Sequence, residues 1–189
     1  MIVLKRLFDL MFCLFVLLFV LAPMLLVALL VKLTSKGPVL YWSDRVGRDN
    51  KIFSMPKFRS MKVDTPAVAT HLLQDPKSVL TPVGDFLRKS SLDELPQLWC
   101  VLKGDMSFVG PRPALYNQDD LIVLRTEQGV QVLPVGVTGW AQVNGRDELP
   151  IPQKVDLDVE YVQRQSLGFD IYILWLTLIK VVRRDGVSH

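Results

Sequence analysis

From Leu10 to Val31 the chain runs through 22 consecutive residues without a charge, nearly all Leu, Val, Phe, Met or Ala. As a helix this stretch reaches about 33 Å, enough to cross a bilayer core of about 30 Å. A cleavable signal peptide would have an apolar core of about 7 to 15 residues ending near an A-x-A-like site, and no such site follows. The flanks constrain the segment further. Lys5 and Arg6 precede it, and Lys32, Lys36, Arg45, Arg48 and Lys51 follow it. Positive charge beside a membrane segment prefers the cytoplasmic side, and here both flanks ask for that side. Pro23 stands mid-run, where its ring and missing N–H break or kink a helix. Two readings stay open from these residues alone, a re-entrant hairpin and a kinked spanning helix. Asp9, just inside the N-terminal flank, is within a helical turn of Lys5 and Arg6, either of which would hold it at the interface.

Half of the residues are hydrophobic, yet 22% are charged, too many for a polytopic membrane protein. With 189 residues there is room for about one domain in water. A formal net charge of +3 gives no polycationic argument for nucleic acid. Cys13 falls in the apolar run and Cys100 in an expected helix, which leaves neither a disulfide framework nor a CxxC metal site. His71 and His189 are the only histidines, which argues against Ser-His or Cys-His catalysis and against a His-rich zinc site.

Residues 37–189 read as a cytosolic domain of α+β, mostly α, type. Extended segments are expected at Val39–Trp42 and Lys51–Phe53, and a loop from Asp64 to Lys77, which holds Pro66 and Pro76. Thr81-Pro82 resembles a helix start, with threonine as cap. A helix near Leu95–Leu102 is expected to stop at Lys103-Gly104. Val130–Val143 suggests short strands and loops, and Gln153–Arg164 has helical spacing. The stretch 169–184 is densely apolar from Ile171 to Leu178 and ends in Lys180, Arg183 and Arg184. It is too short to span, so a helix lying at the membrane interface is expected, against the alternative of a core helix capped by Asp170.

No GxGxxG or GxxxxGK is present. What remains is a dense polar set punctuated by glycine and proline: Lys57–Met61, Ser91–Gln97, Lys103–Ser107, Gly110–Pro113 and Thr138–Arg146. Asp93 and Glu94 admit two readings. Ser91-x-x-Glu94 matches a capping box, although Pro96 moves the cap toward Asp93 or Glu94 themselves. Alternatively one carboxylate attacks phosphorus and its neighbour serves a divalent cation; an aspartate ionised at pH 7 needs no histidine base. Lys57, Arg59, Arg112 and Arg146 lie in glycine- or proline-bearing segments and suit a multiply charged phosphate ester. Solvated surface charge is the plain alternative for each. Asp156-Leu157-Asp158 matches the DxD metal motif of nucleotide-sugar glycosyltransferases but falls in a helical pattern, mostly as helix surface.

Together these blocks resemble the bacterial sugar transferase family, the monotopic phosphoglycosyl transferases in their small form, over nearly the whole chain. The resemblance is to the family's minimal version, for which no extra N-terminal membrane domain is expected. The resemblance implies transfer of a phosphosugar from a UDP-sugar to polyprenyl (undecaprenyl) phosphate with release of UMP, at the cytoplasmic face of a bacterial inner membrane. It implies Asp93 as the nucleophile forming an aspartyl-phosphosugar intermediate, and Glu94 in Mg2+ and acid–base work. It also favours a re-entrant helix, residues 1–36, broken near Pro23. Lys57, Arg59 and Arg112 are expected to bind phosphate. Thr138, Gln142, Asn144 and Arg146 belong to a candidate nucleotide-sugar loop, and Asp93 joins Glu94 as a candidate metal ligand. UDP-sugar, polyprenyl phosphate and membrane lipids are the expected partners, nucleic acid is not, and a homodimer stays open. Two departures stand out: Cys100 where the family commonly has asparagine, and Pro134-Val135 where it has Arg-Pro. The competing readings are a metal-dependent glycosyltransferase using Asp156 and Asp158 and releasing UDP, and a non-catalytic module that binds anionic lipid.

Overall fold

A computed structural model describes residues 2–66, 75, 78–145 and 149–183. Most of the expected loop at 64–77 and the C-terminal 184–189 therefore lie outside the described residues. The apolar run forms α1 (Ile2–Thr34), one unbroken helix with Pro23 inside it. The expected break near Pro23 is not seen in the backbone, which stays helical through the proline. Proline removes only its own N–H from the ladder, and the good helix formers on either side carry the rest. Seven large apolar side chains between Leu14 and Leu26, Phe15 and Leu18 among them, are exposed.

Both ends of α1 are tied into the water-facing body. Near the N-terminus Lys5 meets the buried carboxylate of Asp170 at 2.6 Å. Arg6 donates to the carbonyls of Val101 (2.5 Å) and Leu102 (2.7 Å), and Asp9 accepts from the Phe108 N–H at 3.1 Å. Asp9 is thus held by backbone across the fold rather than by Lys5 or Arg6, which have their own distant partners. At the other end Arg59 donates to the carbonyls of Ser35, Lys36 and Pro38 and to the Ser35 hydroxyl, at 2.7–3.1 Å. Val27 and Val31 pack with Phe58 and Leu87 below it.

β1 (Leu40–Val46) and β2 (Ile52–Phe58) form an antiparallel hairpin pairing Leu40 with Phe58 and Val46 with Ile52. Both strands run further than expected, which places Lys57 on β2. After α2 (Gly84–Lys89), a 3-10 helix over Leu92–Gln97 leads into α3 (Leu98–Lys103). Thr81 does not cap α2: its hydroxyl donates to the Ser60 carbonyl and the helix starts three residues later. Gly104, at φ +96°, ends α3 in the left-handed conformation that glycine adopts without strain. β3 (Met106–Val109) leads to β4 (Ala114–Leu115), which pairs with β1, and to α4 (Asp119–Glu127). β5 (Val135–Thr138) returns parallel to β3 and runs into α5 (Trp140–Val143).

The chain closes with α6 (Ile151–Arg164) and α7 (Leu167–Arg183). α7 is two-faced. Phe169 and Ile173 are buried, and Ile171, Tyr172, Trp175, Leu178 and Val181 are exposed. Asp170 is not its cap but a buried acceptor for Lys5 and for the Tyr161 hydroxyl at 2.6 Å; Ser166 Oγ takes the Phe169 N–H. The fold is mixed α/β and mostly helical, with α1 long and apolar enough to cross a membrane.

Candidate active site

The approach to the paired carboxylates is set by Ser91, a non-glycine residue at φ +55°. From there the chain turns into the tight 3-10 helix, because Pro96 lacks the N–H that would bond the Leu92 carbonyl in an α-helix. Ser91 makes no side-chain cap bond, so the capping box does not form. The Glu94 carboxylate instead receives two cations on one oxygen: Lys57 Nζ at 2.8 Å and Arg112 Nη2 at 3.3 Å from Oε1. Asp93 lies inside the 3-10 helix, buried. Among the described residues no other side chain donates a hydrogen bond to its carboxylate. Burial pushes its pKa up to about 6, with Lys57 opposing, Glu94 adding to the rise, and Arg88 and its own backbone N–H opposing. At neutral pH it is still mostly ionised, desolvated and next to cations, the condition of a poised nucleophile. Arg88 escaped the sequence reading, since nothing in its spacing says that α2 turns it toward Asp93.

Beside the carboxylates lies a cavity of ≈ 300 Å³. Glu94, Arg112, Thr138 and Gln142 all line it, so four of the residues singled out in the sequence converge there. Asp93 and Lys57, the neighbours of Glu94 in sequence and by ion pair, are not among the residues that line it. Thr138 ends β5, and its hydroxyl lies 2.7 Å from that of Thr177 on α7. Gln142 donates to the Val137 carbonyl, leaving its Oε1 buried without a partner. Close backbone stacking fixes this corner. A Cβ on Gly110 would stand 2.3 Å from the Pro134 oxygen, and one on Gly136 2.2 Å from the Gly110 nitrogen. Only glycine permits that approach, which sets Arg112 and Thr138 on opposite sides of one junction.

Two expected phosphate or nucleotide ligands are elsewhere. Arg59 is buried and bonded to the carbonyls after α1, so its role is to cap that helix. Asn144 is exposed and donates to the Trp140 carbonyl at the end of α5. Arg146 lies outside the described residues. Asp158 is buried and receives Arg125 through Nε (2.9 Å) and Nη2 (2.7 Å), whereas Asp156 is exposed. This corrects the view of Asp158 as helix surface, and the DxD pair forms no two-aspartate metal site. Cys100 is buried in the main core beside Cys13 and Val101, with burial pushing its thiol up to about 11. It packs a helix, as its position suggested.

Among the described residues no three His, Cys, Asp or Glu side chains cluster as a metal cage. Asp93 and Glu94 alone still fit Mg2+, which ordinarily takes one or two carboxylates and completes its shell with water and substrate phosphates.

The profile of the bacterial sugar transferase family matches residues 1–184, and the chain belongs to that family, as a transferase. EpsL of Bacillus subtilis, described as an uncharacterized sugar transferase, is 41% identical over 187 residues, covering 99% of this chain and 91% of its own. The UDP-glucose:undecaprenyl-phosphate glucose-1-phosphate transferase of Escherichia coli is 42% identical over 187 residues, covering 94% of this chain and 40% of its own. The undecaprenyl-phosphate glucose phosphotransferase of Komagataeibacter xylinus is 43% identical over 188 residues, covering 92% and 35%. The chain thus spans most of EpsL and well under half of the other two.

Proposed function

We propose that this chain transfers a phosphosugar from a UDP-sugar to undecaprenyl phosphate at the cytoplasmic face of a bacterial membrane, the first membrane step of a glycoconjugate. The observation that carries the reading is the buried Asp93 carboxylate, unbonded to other side chains among the described residues and flanked by Lys57 and Arg88. Its neighbour Glu94 is fixed by Lys57 and Arg112 at the edge of a cavity. Asp93 attacks the phosphorus that bears the sugar; the new bond joins its carboxylate oxygen to that phosphorus as the phosphoanhydride bond to UMP breaks. The lipid phosphate then attacks the same phosphorus, forming polyprenyl-diphosphate-sugar and returning the carboxylate. Each step exchanges one reactive phosphorus–oxygen bond for another of similar energy, which replaces a difficult direct meeting of two anions.

Arg112 is placed to take the charge that grows on the phosphoryl oxygens. Lys57 holds Glu94 in register and keeps Asp93 ionised. Glu94 and Asp93 would hold Mg2+, which would supply neutralisation of the diphosphate. Support for insertion from one side comes from α1, whose Lys5 end and Ser35 end are both bonded to the same body while its middle is exposed. A re-entrant placement satisfies that arrangement; a spanning one would set the two ends on opposite faces.

The test is to offer purified protein in detergent a panel of UDP-sugars with and without undecaprenyl phosphate, and to identify the nucleotide released. UMP formed without acceptor, together with a phosphosugar trapped on protein, is expected. UDP as product would favour direct glycosyl transfer, and no nucleotide release would sink the catalytic reading.

A further inference from the structure

Lys180 enters the sequence reading only as a basic residue ending the interface helix, yet it lines the same cavity as Glu94 and Arg112. It sits on α7 one turn beyond Thr177, whose hydroxyl ties that helix to Thr138. Among the described residues no carboxylate lies within ion-pair distance of it. Of the other cations lining the cavity, Lys89 pairs with Asp85 at 2.7 Å and Arg112 with Glu94 at 3.3 Å. An ammonium without a carboxylate among the described residues, on a cavity wall, suits an anionic ligand.

The remaining walls say what that anion is attached to. Val16, from the apolar run of α1, lines the cavity with Leu95, Leu98, Phe108 and Val181. The outward face of α7, with Tyr172, Trp175 and Leu178, is exposed and apolar. Lys180 thus stands where a lipid-facing wall meets a polar one. A nucleotide offers no apolar tail to that wall, whereas a prenyl phosphate offers both parts. Resting on the reaction proposed above, we infer that Lys180 binds the phosphate of the lipid acceptor and belongs to the second half-reaction only.

The two halves can be read separately. In neutral detergent, with whichever UDP-sugar the parent turns over, UMP release without acceptor reports the first half. The KM for undecaprenyl phosphate in the full reaction reports the second. Lys180→Ala is expected to leave the first within about twofold and to raise the acceptor KM roughly 10- to 100-fold, the range for losing a hydrogen bond to a charged group. Lys180→Arg is expected to restore most of it, and Lys51→Ala, on the surface away from the cavity, to change neither. Direct binding of undecaprenyl phosphate to the Lys180→Ala chain should weaken in parallel, a readout independent of turnover. Equal loss in both halves would assign Lys180 to the donor and overturn the inference, as would an unchanged acceptor KM. A defect seen only in vesicles containing phosphatidylglycerol would assign it to bulk headgroups and overturn it too. A parent that releases no UMP would instead defeat the underlying reaction, an outcome visible before any Lys180 variant is made.

Discussion

A carboxylate at position 93 is held in the folded chain against its own preference. An ordinary aspartate titrates near 3.8 and this one near 6, so between those pH values the native state binds more protons than the unfolded one. Stability therefore falls as pH rises through that window, by an amount on the order of 3 kcal/mol. Asp93→Asn removes the burden: at pH 7.5 it should melt higher than the parent, with the gap closing toward pH 4, while releasing no UMP from UDP-sugar. An Asp93→Asn chain that still made lipid-linked product would move the nucleophile to Glu94 or to the lipid phosphate itself. For the parent, the rate of UMP release without acceptor should fall as pH drops below about 6, roughly tenfold per pH unit well below it. Stopped-quench kinetics across pH 4.5–8 would show this. Arg112→Ala should slow turnover roughly 30- to 1,000-fold, corresponding to about 2 to 4 kcal/mol, whereas Arg48→Ala, more than a third exposed and near Asp49, should do almost nothing. Similar small effects from both would make the Gly110–Pro113 segment a structural turn.

At the scale of elements, patterns with local causes were legible. The apolar run, the Gly104 stop of α3, the helical spacing of α6 and the density of charge around Asp93–Glu94 each follow from neighbours in sequence. Pairings set by distant partners were not. Arg59 looks like a phosphate ligand in Lys57–Met61, yet the strand carries it under the end of α1, where unmet carbonyls claim it. Asp170, a cap only in the alternative reading of its helix, turns out to close a buried pair with Lys5, 165 positions away. Four residues of the cavity were foreseen; the place of Lys180 in it and the effect of Arg88 on Asp93 were not, because spacing along one helix does not say which other element faces it. Arg59→Met should lower stability by about 3 kcal/mol, measured by thermal melting in detergent, with little change in the KM for UDP-sugar of the molecules that remain folded. A selective rise in that KM without loss of stability would return Arg59 to the site.

For the whole molecule the question is which side of the membrane holds each end of α1. The two cysteines are buried, so single cysteines introduced at Val3, which is 83% exposed, and at Lys36 would label over a low background. Impermeant maleimide should reach both in inside-out vesicles and neither in intact cells. Labelling of either from outside would establish a spanning helix and require the contacts at that end of α1 to be lost in the membrane.

Synthesis on the ribosome gives the Lys5–Asp170 bond a further meaning. α1 is translated before its partner in α7, so the apolar segment waits for Asp170 while the residues between Lys5 and Asp170, 165 positions apart, are still being made. Until α7 emerges, Lys5 has no buried counter-charge, and the mouth of the helix is fastened only by Arg6 and Asp9. Closure of the molecule thus waits on the synthesis of α7. Chains stalled before residue 170 should stay open at that end of α1, and be cut by added protease at a concentration that spares the finished protein.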